Sequence, residues 1–287
     1  HMYRPNISGT LAARLAKVPV VISNVHNVDH WDTPRQVFMD RIFRPLRGGV
    51  IAVSQGVKED VVDMTGVAPE RVAVVYNGVD LEEFRVPPDE REAKRVELGI
   101  EGNTKVLLVV ARLMPWKGHR LLFQALREVA AFLPPFRLLV AGNGPTREEL
   151  ESLATHEGLD WIVFLGERHD IPQLFSLAHL SFLTSFREGL PNVVLESMAS
   201  GVPVIATDAG GTGEALTNGK EGMTVQAGDK EALKRAILAV FNRSATLKKM
   251  RLEGKRRIQE RFSIEVMYSK TRELYLSLLE EVSGGKG

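Results

Sequence analysis

From residue 18 to about residue 241 the chain repeats one pattern, a short aliphatic or β-branched run followed by a stretch with helical spacing of apolar residues. That alternation restricts the fold to parallel strands joined by crossover helices, an α/β architecture. The runs predicted as strands are Val18 to Ser23, Gly49 to Ser54, Val72 to Tyr76, Val106 to Ala111, Arg137 to Ala141, Ile162 to Gly166, Leu180 to Thr184, Val202 to Thr207 and Gly222 to Val225. Most are continuously apolar rather than alternating, as expected of strands covered on both faces.

Composition changes at Pro87-Pro88-Asp89-Glu90, where a polar stretch leads into a short helix ending near Gly99 before a strong strand begins at Lys105. The expected division is therefore 1–100, 101–262 and 263–287. The middle part has enough strands and helices for a complete doubly wound domain, whereas the first holds about three strands, fewer than a full Rossmann sheet. The first domain thus reads as incomplete. In the last part, Ile264, Met267, Leu274, Tyr275, Leu278 and Leu279 follow a helical period and predict a closing helix packed back on the first domain. The Ser-Gly-Gly-Lys-Gly tail after it should fray.

The sequence of 287 residues contains 37 Lys and Arg against 36 Asp and Glu. No global basic field for nucleic acid results, so any anionic partner must be held locally. Cysteine is absent, which removes disulfides and thiolate chemistry and fits a reducing cytoplasm. No apolar run reaches the roughly 20 residues of a membrane span, and no leader pattern opens the sequence. The histidines lack paired ligand spacing, and His26 and His30 lack the glutamate of a zinc-protease helix. No metal site is expected.

Three segments carry candidate chemistry. Arg112-Leu-Met-Pro-Trp-Lys117-Gly118 follows the strand ending at Ala111 and precedes a helix from about His119 to Phe132. Cations at a strand's carboxyl end, beside a helix start, suit a diphosphate; two cations solvating a loop would look the same. Leu139-Val-Ala-Gly142-Asn143-Gly144-Pro145 is a strand running into a Gly-x-Gly turn, with Pro145 suited to a first helical turn. Its glycines would let a ligand approach the backbone, or would only make a tight turn. The third glycine of a dinucleotide fingerprint is missing, which argues against a nicotinamide-dependent dehydrogenase. The third segment is Glu188-Gly189-Leu190-Pro191-Asn192-Val193-Val194-Leu-Glu196, running on to Gly201, with Pro191 opening a helix and Gly201 closing it. Glu188 in the loop and Glu196 in the helix, with free amides from Gly189 to Val194, would make a pocket that accepts from hydroxyls and donates to phosphate. A helix-dipole partner and a solvated helix residue are the plainer account of the same pair. Downstream, Thr207-Asp208-Ala-Gly210-Gly211 repeats the strand and glycine-rich turn, and either walls the same site or is only a turn.

Glu188 and Glu196, with the residues between them, resemble the E-x7-E pattern of the family 4 glycosyltransferases. The likeness continues through Val75-Tyr-Asn77-Gly78-Val-Asp80-Leu-Glu-Glu-Phe84, Arg112 with Lys117-Gly118, Gly142-Asn-Gly144-Pro145, Phe164-Leu-Gly166 and Met198-Ala-Ser-Gly201-Val-Pro203. Six motifs in the family's order span most of the chain. The resemblance implies the GT-B fold, two Rossmann-like domains with parallel sheets facing a cleft, with the first incomplete here. It also implies a nucleotide-sugar donor such as a UDP- or GDP-sugar, no cofactor or catalytic metal, and retention of anomeric configuration. Residue by residue, Arg112 and Lys117 match the diphosphate-binding cations, Glu188 the carboxylate near the donor sugar and Glu196 the carboxylate on the ribose. His26 matches the histidine beside the reacting sugar. Gly144, Arg168, Gly189, Leu190, Pro191, Asn192, Val193 and Val194 fall where the family lines the donor, Arg168 near the base. The family's opening strand and glycine-rich loop have no counterpart, which predicts on the order of a hundred further residues upstream.

The acceptor implied is a saccharide or lipid-linked hydroxyl, with no nucleic-acid partner. A sugar-nucleotide epimerase of the same fold and a non-catalytic nucleotide-sugar-binding remnant remain as alternatives. The segment from Trp31 to Arg47 carries Arg35, Arg41, Arg44 and Arg47 among Phe38, Ile42, Phe43 and Leu46. A crossover helix packed on its own sheet accounts for it most simply; peripheral contact with an anionic inner membrane face is the other reading.

Overall fold

The computed structural model describes residues 3–27, 33–241 and 244–284. His30, Trp31 and the last three residues of the glycine-rich tail lie outside them. The chain divides into two compact units. The first comprises residues 1–78, Glu188–Leu190 and Ile264–Gly287, and the second Val79–Arg187 with Pro191–Ser263. The break falls between Gly78 and Val79, so the helix after Pro87 belongs to the second unit.

In the first unit the elements run α1 (Tyr3–Leu15), β1 (Ile22–Val25), α2 (Pro34–Phe43), β2 (Gly49–Ala52), α3 (Gln55–Thr65) and β3 (Val72–Val74). The strands form a parallel sheet in the order β1-β2-β3. β1 starts later than the Val18-to-Ser23 run predicts. Lys17 turns the chain with a φ of 58°, and Pro19 has no N–H to give a ladder. The local chemistry of α3 is clear: Ser54 Oγ accepts from the Val57 N–H at 3.1 Å, Val57 and Val61 are buried, and Gly66 ends the helix in the left-handed region.

Three of the arginines between 31 and 47, in and just after α2, have partners within the first unit. Arg41 donates to the Met64 carbonyl at 2.8 Å and Arg44 to the Thr65 carbonyl at 2.9 Å, satisfying the end of α3. Arg47 pairs with Asp40 at 2.8 Å, both side chains buried, and its Nε donates to Thr10 Oγ1 at 3.3 Å. Phe38 and Ile42 are nonetheless 61% and 51% exposed.

The second unit runs α4 (Pro88–Glu97), β4 (Lys105–Val110), α5 (His119–Val129), β5 (Phe136–Ala141), α6 (Arg147–His156), β6 (Ile162–Gly166), α7 (Ile171–Leu177), β7 (Leu180–Leu183), α8 (Asn192–Ala199), β8 (Val204–Asp208), α9 (Thr212–Ala215), β9 (Met223–Gln226), α10 (Lys230–Phe241) and α11 (Ser244–Arg257). Its sheet is parallel throughout, in the order β6-β5-β4-β7-β8-β9. Both faces are covered, which is why the strands read as continuous apolar runs. On β4, Leu107 and Val109 join the core built by α5, α6 and α10. Val106 and Leu108 join the opposite core, with Leu174, Phe175 and Leu177 of α7. The 21-residue α12 (Ile264–Gly284) returns to the first unit. There the Met267 sulfur accepts from the Gly78 N–H, and Leu278 packs against Gly49.

Candidate functional site

In the second sheet β5 and β6 lie to one side of β4, and the chain then returns to lay β7 on the other side. The order reverses between β4 and β7, and in open parallel sheets that switch point, at the carboxyl ends of the strands, is where ligands bind. Two of the segments singled out in the sequence emerge there. The loop after β4 carries Arg112 and Lys117, and the loop after β7 leads to Glu188 and α8.

The two loops are joined to each other. The Phe186 N–H donates to the Trp116 carbonyl at 2.8 Å, and Thr184 Oγ1 donates to the Lys117 carbonyl at 2.9 Å. Gly118, at φ +70°, lies so close to β7's end that a Cβ would stand 2.1 Å from the Thr184 carbonyl oxygen. Arg187 stacks over Trp116 with its guanidinium 6.0 Å from the ring centroid. Arg112 is exposed and Lys117 half-buried.

α8 begins as its sequence requires. Pro191 is the capping residue, with Asn192 as the first helical residue, and Gly201 follows the last turn at φ +70°. Val194 is buried and Val193 half-buried. The Val194 N–H is bonded to the Pro191 carbonyl at 3.0 Å, so the amide row expected from Gly189 to Val194 is not wholly free. Glu196 is half-buried, and burial, then the charge of Glu83, raises its carboxyl to about 6. Glu83 lies in the Asp80-to-Phe84 stretch that sequence comparison treated only as a motif; nothing in spacing alone links it to α8.

Glu188, Gly189 and Leu190 group with the first unit. Gly189 is pressed on the backbone of His26, where a Cβ would meet the carbonyl oxygen at 2.0 Å. His26 follows the end of β1, half-buried, and Leu190 is buried. Within the first unit the structure thus brings His26 to the Glu188-Gly189-Leu190 segment; within the second, the Trp116 and Lys117 carbonyls are bonded to the residues that follow β7.

Two further segments named in the sequence have contacts within the chain. The Gly142-Asn143-Gly144 turn packs on protein, since the Leu113 N–H donates to the Asn143 carbonyl at 2.9 Å and a Cβ on Gly144 would fall 2.3 Å from the Leu113 carbonyl oxygen. The glycines there serve the chain's own close approach, and Pro145 precedes rather than starts α6, whose cap is Thr146. Arg168, expected near a base, is held by Asp170 at 2.7 Å and by Glu97 at 3.1 Å. Lys94 closes that network on Asp170 at 2.7 Å. The Arg168 guanidinium holds Asp170 well below the usual carboxylate range. As folded, Arg168 ties β6's following loop to α4.

Two further groups at this edge had no signal in the sequence. His119, at the start of α5, is 2% exposed with neither ring nitrogen bonded; burial, then Lys117, lowers it to about 4, so it is neutral at pH 7. Ser185 is fully buried with its Oγ unpaired.

Comparison with known proteins follows the same outline. The profile of Glycosyl transferases group 1 matches residues 90–257, and that of Glycosyltransferase Family 4 matches residues 1–83. The chain is 26% identical over 289 aligned residues to the UDP-Gal:alpha-D-GlcNAc-diphosphoundecaprenol alpha-1,3-galactosyltransferase of Escherichia coli, covering 97% of this chain and 74% of that protein. It is 31% identical to the lipopolysaccharide core biosynthesis mannosyltransferase LpsB of Rhizobium meliloti, covering 72% of this chain and 61% of the relative. Among solved structures, Anabaena Alr3699/HepE in complex with UDP superposes with a TM-score of 0.86 at 26% identity, covering 96% of this chain and 77% of that one. The same protein in complex with UDP-glucose gives a TM-score of 0.85 at 26% identity, with the same coverage. With more than half of its length in the first profile, and with two α/β units of parallel strands, the chain belongs to the group 1, family 4 glycosyltransferases of GT-B fold.

Proposed function

We propose that this chain moves a sugar from a nucleotide-sugar donor to an acceptor hydroxyl, with retention at the anomeric carbon and without a metal. The observation that supports the reading is the bonded pair of loops at the β4–β7 switch point, one carrying Arg112 and Lys117 and the other leading towards Glu188. A uridine diphosphate sugar is the donor class favoured, because Anabaena HepE is known in complex with UDP and with UDP-glucose. A saccharide or lipid-linked saccharide is the acceptor class, in keeping with the E. coli relative's diphosphoundecaprenol substrate.

In this mechanism the acceptor oxygen forms its bond to the anomeric carbon on the same face from which the diphosphate leaves, and the hydroxyl proton passes to the departing diphosphate oxygen. Arg112 and Lys117 neutralise the charge growing on the leaving diphosphate, a role worth more in the transition state than in the ground state. Glu188 accepts from hydroxyls of the donor sugar, Glu196 from the ribose, and His26 stands by the reacting sugar. Such a reaction runs where nucleotide-sugars are made, so the cytoplasm is the expected compartment; among the described residues no helix is long and apolar enough to cross a membrane.

The test is a thermal-shift titration with UDP-, GDP- and ADP-sugars, followed by turnover with acceptor mixtures. One nucleotide class should stabilise the protein saturably, Glu196→Ala should abolish that response, and Lys117→Ala should lower kcat by a larger factor than it weakens donor binding. Unchanged turnover in Lys117→Ala would refute the role given to the cations. Product release from donor alone would identify an epimerase, and binding without turnover a non-catalytic remnant.

A further inference from the structure

Asp208-Ala-Gly210-Gly211-Thr-Gly213, the glycine-rich stretch after β8, is held at both ends. β8 lies next to β7 on the side away from β4, which sets its carboxyl end about 4.8 Å from that of β7. The root of the loop is Thr207, 1% exposed, whose hydroxyl donates to the Ser185 carbonyl with the Leu183 carbonyl also in reach at 3.3 Å. The last ladder pair of the two strands is Leu183 with Ala206, so a side chain carries the pairing on where the main chain stops. The loop after β7 is thus fastened on both flanks by threonine hydroxyls, from Thr184 to the Lys117 carbonyl and from Thr207 to the Ser185 carbonyl.

At the far end stands α9, whose four residues are too few for a helix to persist on its own bonds. Its last carbonyls are taken by a side chain from α11: Arg257 Nε donates to the Ala215 carbonyl at 2.7 Å, and Nη2 to the Glu214 carbonyl at 2.9 Å. The third nitrogen, Nη1, stands 3.6 Å from Glu221. Glu221 is itself 1% exposed, and its other oxygen accepts from the Thr217 N–H at 2.8 Å, in the turn that follows α9. All three guanidinium nitrogens therefore engage the loop or its buried acid, in a planar fork that a lysine could not reproduce. Between the two holds Asp208, Gly210 and Gly213 are exposed, with Gly210 at a φ of 53°. At the two glycines no side chain keeps a ligand off the backbone.

We propose, resting on the nucleotide-sugar reading above, that the loop after β8 is a third wall of the donor site beside the loops after β4 and β7, and that Arg257 is its positioning residue. Joining β8 to β9 does not by itself call for a buried acid and an arginine brought from another helix, since taking those charges out of water costs stability. Holding a stretch of bare backbone still against a ligand does call for it, because small misplacements around a reacting group cost large factors in rate and affinity. Thr207 acts through the Ser185 carbonyl and Arg257 through the carbonyls of Glu214 and Ala215, so both work on the same loop from opposite ends.

The experiment is calorimetric titration with UDP-, GDP- and ADP-glucose, the tightest binder being carried through Arg257→Met, Thr207→Val, Thr207→Ser and Arg256→Met, all well below the lowest Tm. Affinity should fall about tenfold in Arg257→Met and in Thr207→Val. It should return in Thr207→Ser, which keeps the hydroxyl, and stay unchanged in Arg256→Met, whose side chain pairs with Glu253 and Glu260 on α11 and in the turn after it. A clamp that serves folding alone would lower Tm and leave the affinity of the folded protein intact, and that result overturns the proposal. Hydrogen exchange of residues 208–217 in the wild type supplies a reading that needs no variant: protection by the bound nucleotide-sugar supports the third wall, and unchanged exchange overturns it. Wild-type protein that binds none of the three overturns the donor reading and this one with it, whereas wild-type binding with unchanged affinity in Arg257→Met and Thr207→Val overturns this one alone.

Discussion

Glu196 and Gly118 show how much a single position can hold. Glu196 was legible as half of a spaced carboxylate pair, but its elevated pKa comes from burial and from Glu83, over a hundred positions away in sequence. A ribose hydroxyl bonds the ionised carboxylate better than the neutral acid. Donor-nucleotide affinity should therefore rise as pH increases through about 6, and Glu196→Gln should flatten that profile in calorimetric titrations between pH 5 and 7.5. The stability term has the opposite sense, because a carboxyl whose folded pKa is raised favours folding at low pH and loses that contribution as pH rises through about 6. At Gly118 the sequence shows only a common Lys-Gly pair, while the fold shows a positive φ and a backbone oxygen where a Cβ would go. Gly118→Ala should lower Tm and cut kcat/KM by at least about tenfold, because the Lys117 carbonyl and Thr184 would have to part. Retained kcat/KM in that variant would mean that the loop adjusts without loss.

At the scale of elements the strands of the second unit were legible because both faces of its sheet are covered, leaving apolar runs with little competing pattern. The exceptions have local causes. β1 starts at Ile22, after Lys17 and Pro19 have turned the chain. Arg41, Arg44 and Arg47, in and just after α2, which a basic membrane face would also have explained, are engaged with the end of α3 and with Asp40. No periodicity could show this, since the partners of Arg41 and Arg44 are backbone carbonyls some twenty residues ahead. Arg47 and Asp40 form a buried pair, and removing one partner leaves an uncompensated charge. Asp40→Ala should cost about 3–5 kcal/mol in urea unfolding, and Asp40→Ala with Arg47→Met should recover a large part of that. An additive double variant would show that the pair is not coupled.

Over the whole molecule, a formal net charge of +1 gives no hint of where single charges stand, such as Arg112 and Lys117 in the loop at the carboxyl end of β4. The family and the carboxyl-edge segments were readable because each motif is contiguous. The grouping of Glu188–Leu190 with residues 1–78 has no such signature, because it depends on the close approach of Gly189 to His26.

The seam between the loops after β4 and β7 bears on how this scaffold can be redesigned. Its hydrogen bonds run from main chain to main chain and from Thr184 to the Lys117 carbonyl, so they depend on the path of both loops and hardly on the side chains at their tips. Grafting one loop from a relative with another donor preference would leave its partner mismatched, whereas exchanging residues 112–118 and 184–191 together would carry the seam across intact. The two loops are a single inheritable part, and altered donor choice should come from chimaeras that move them as a pair.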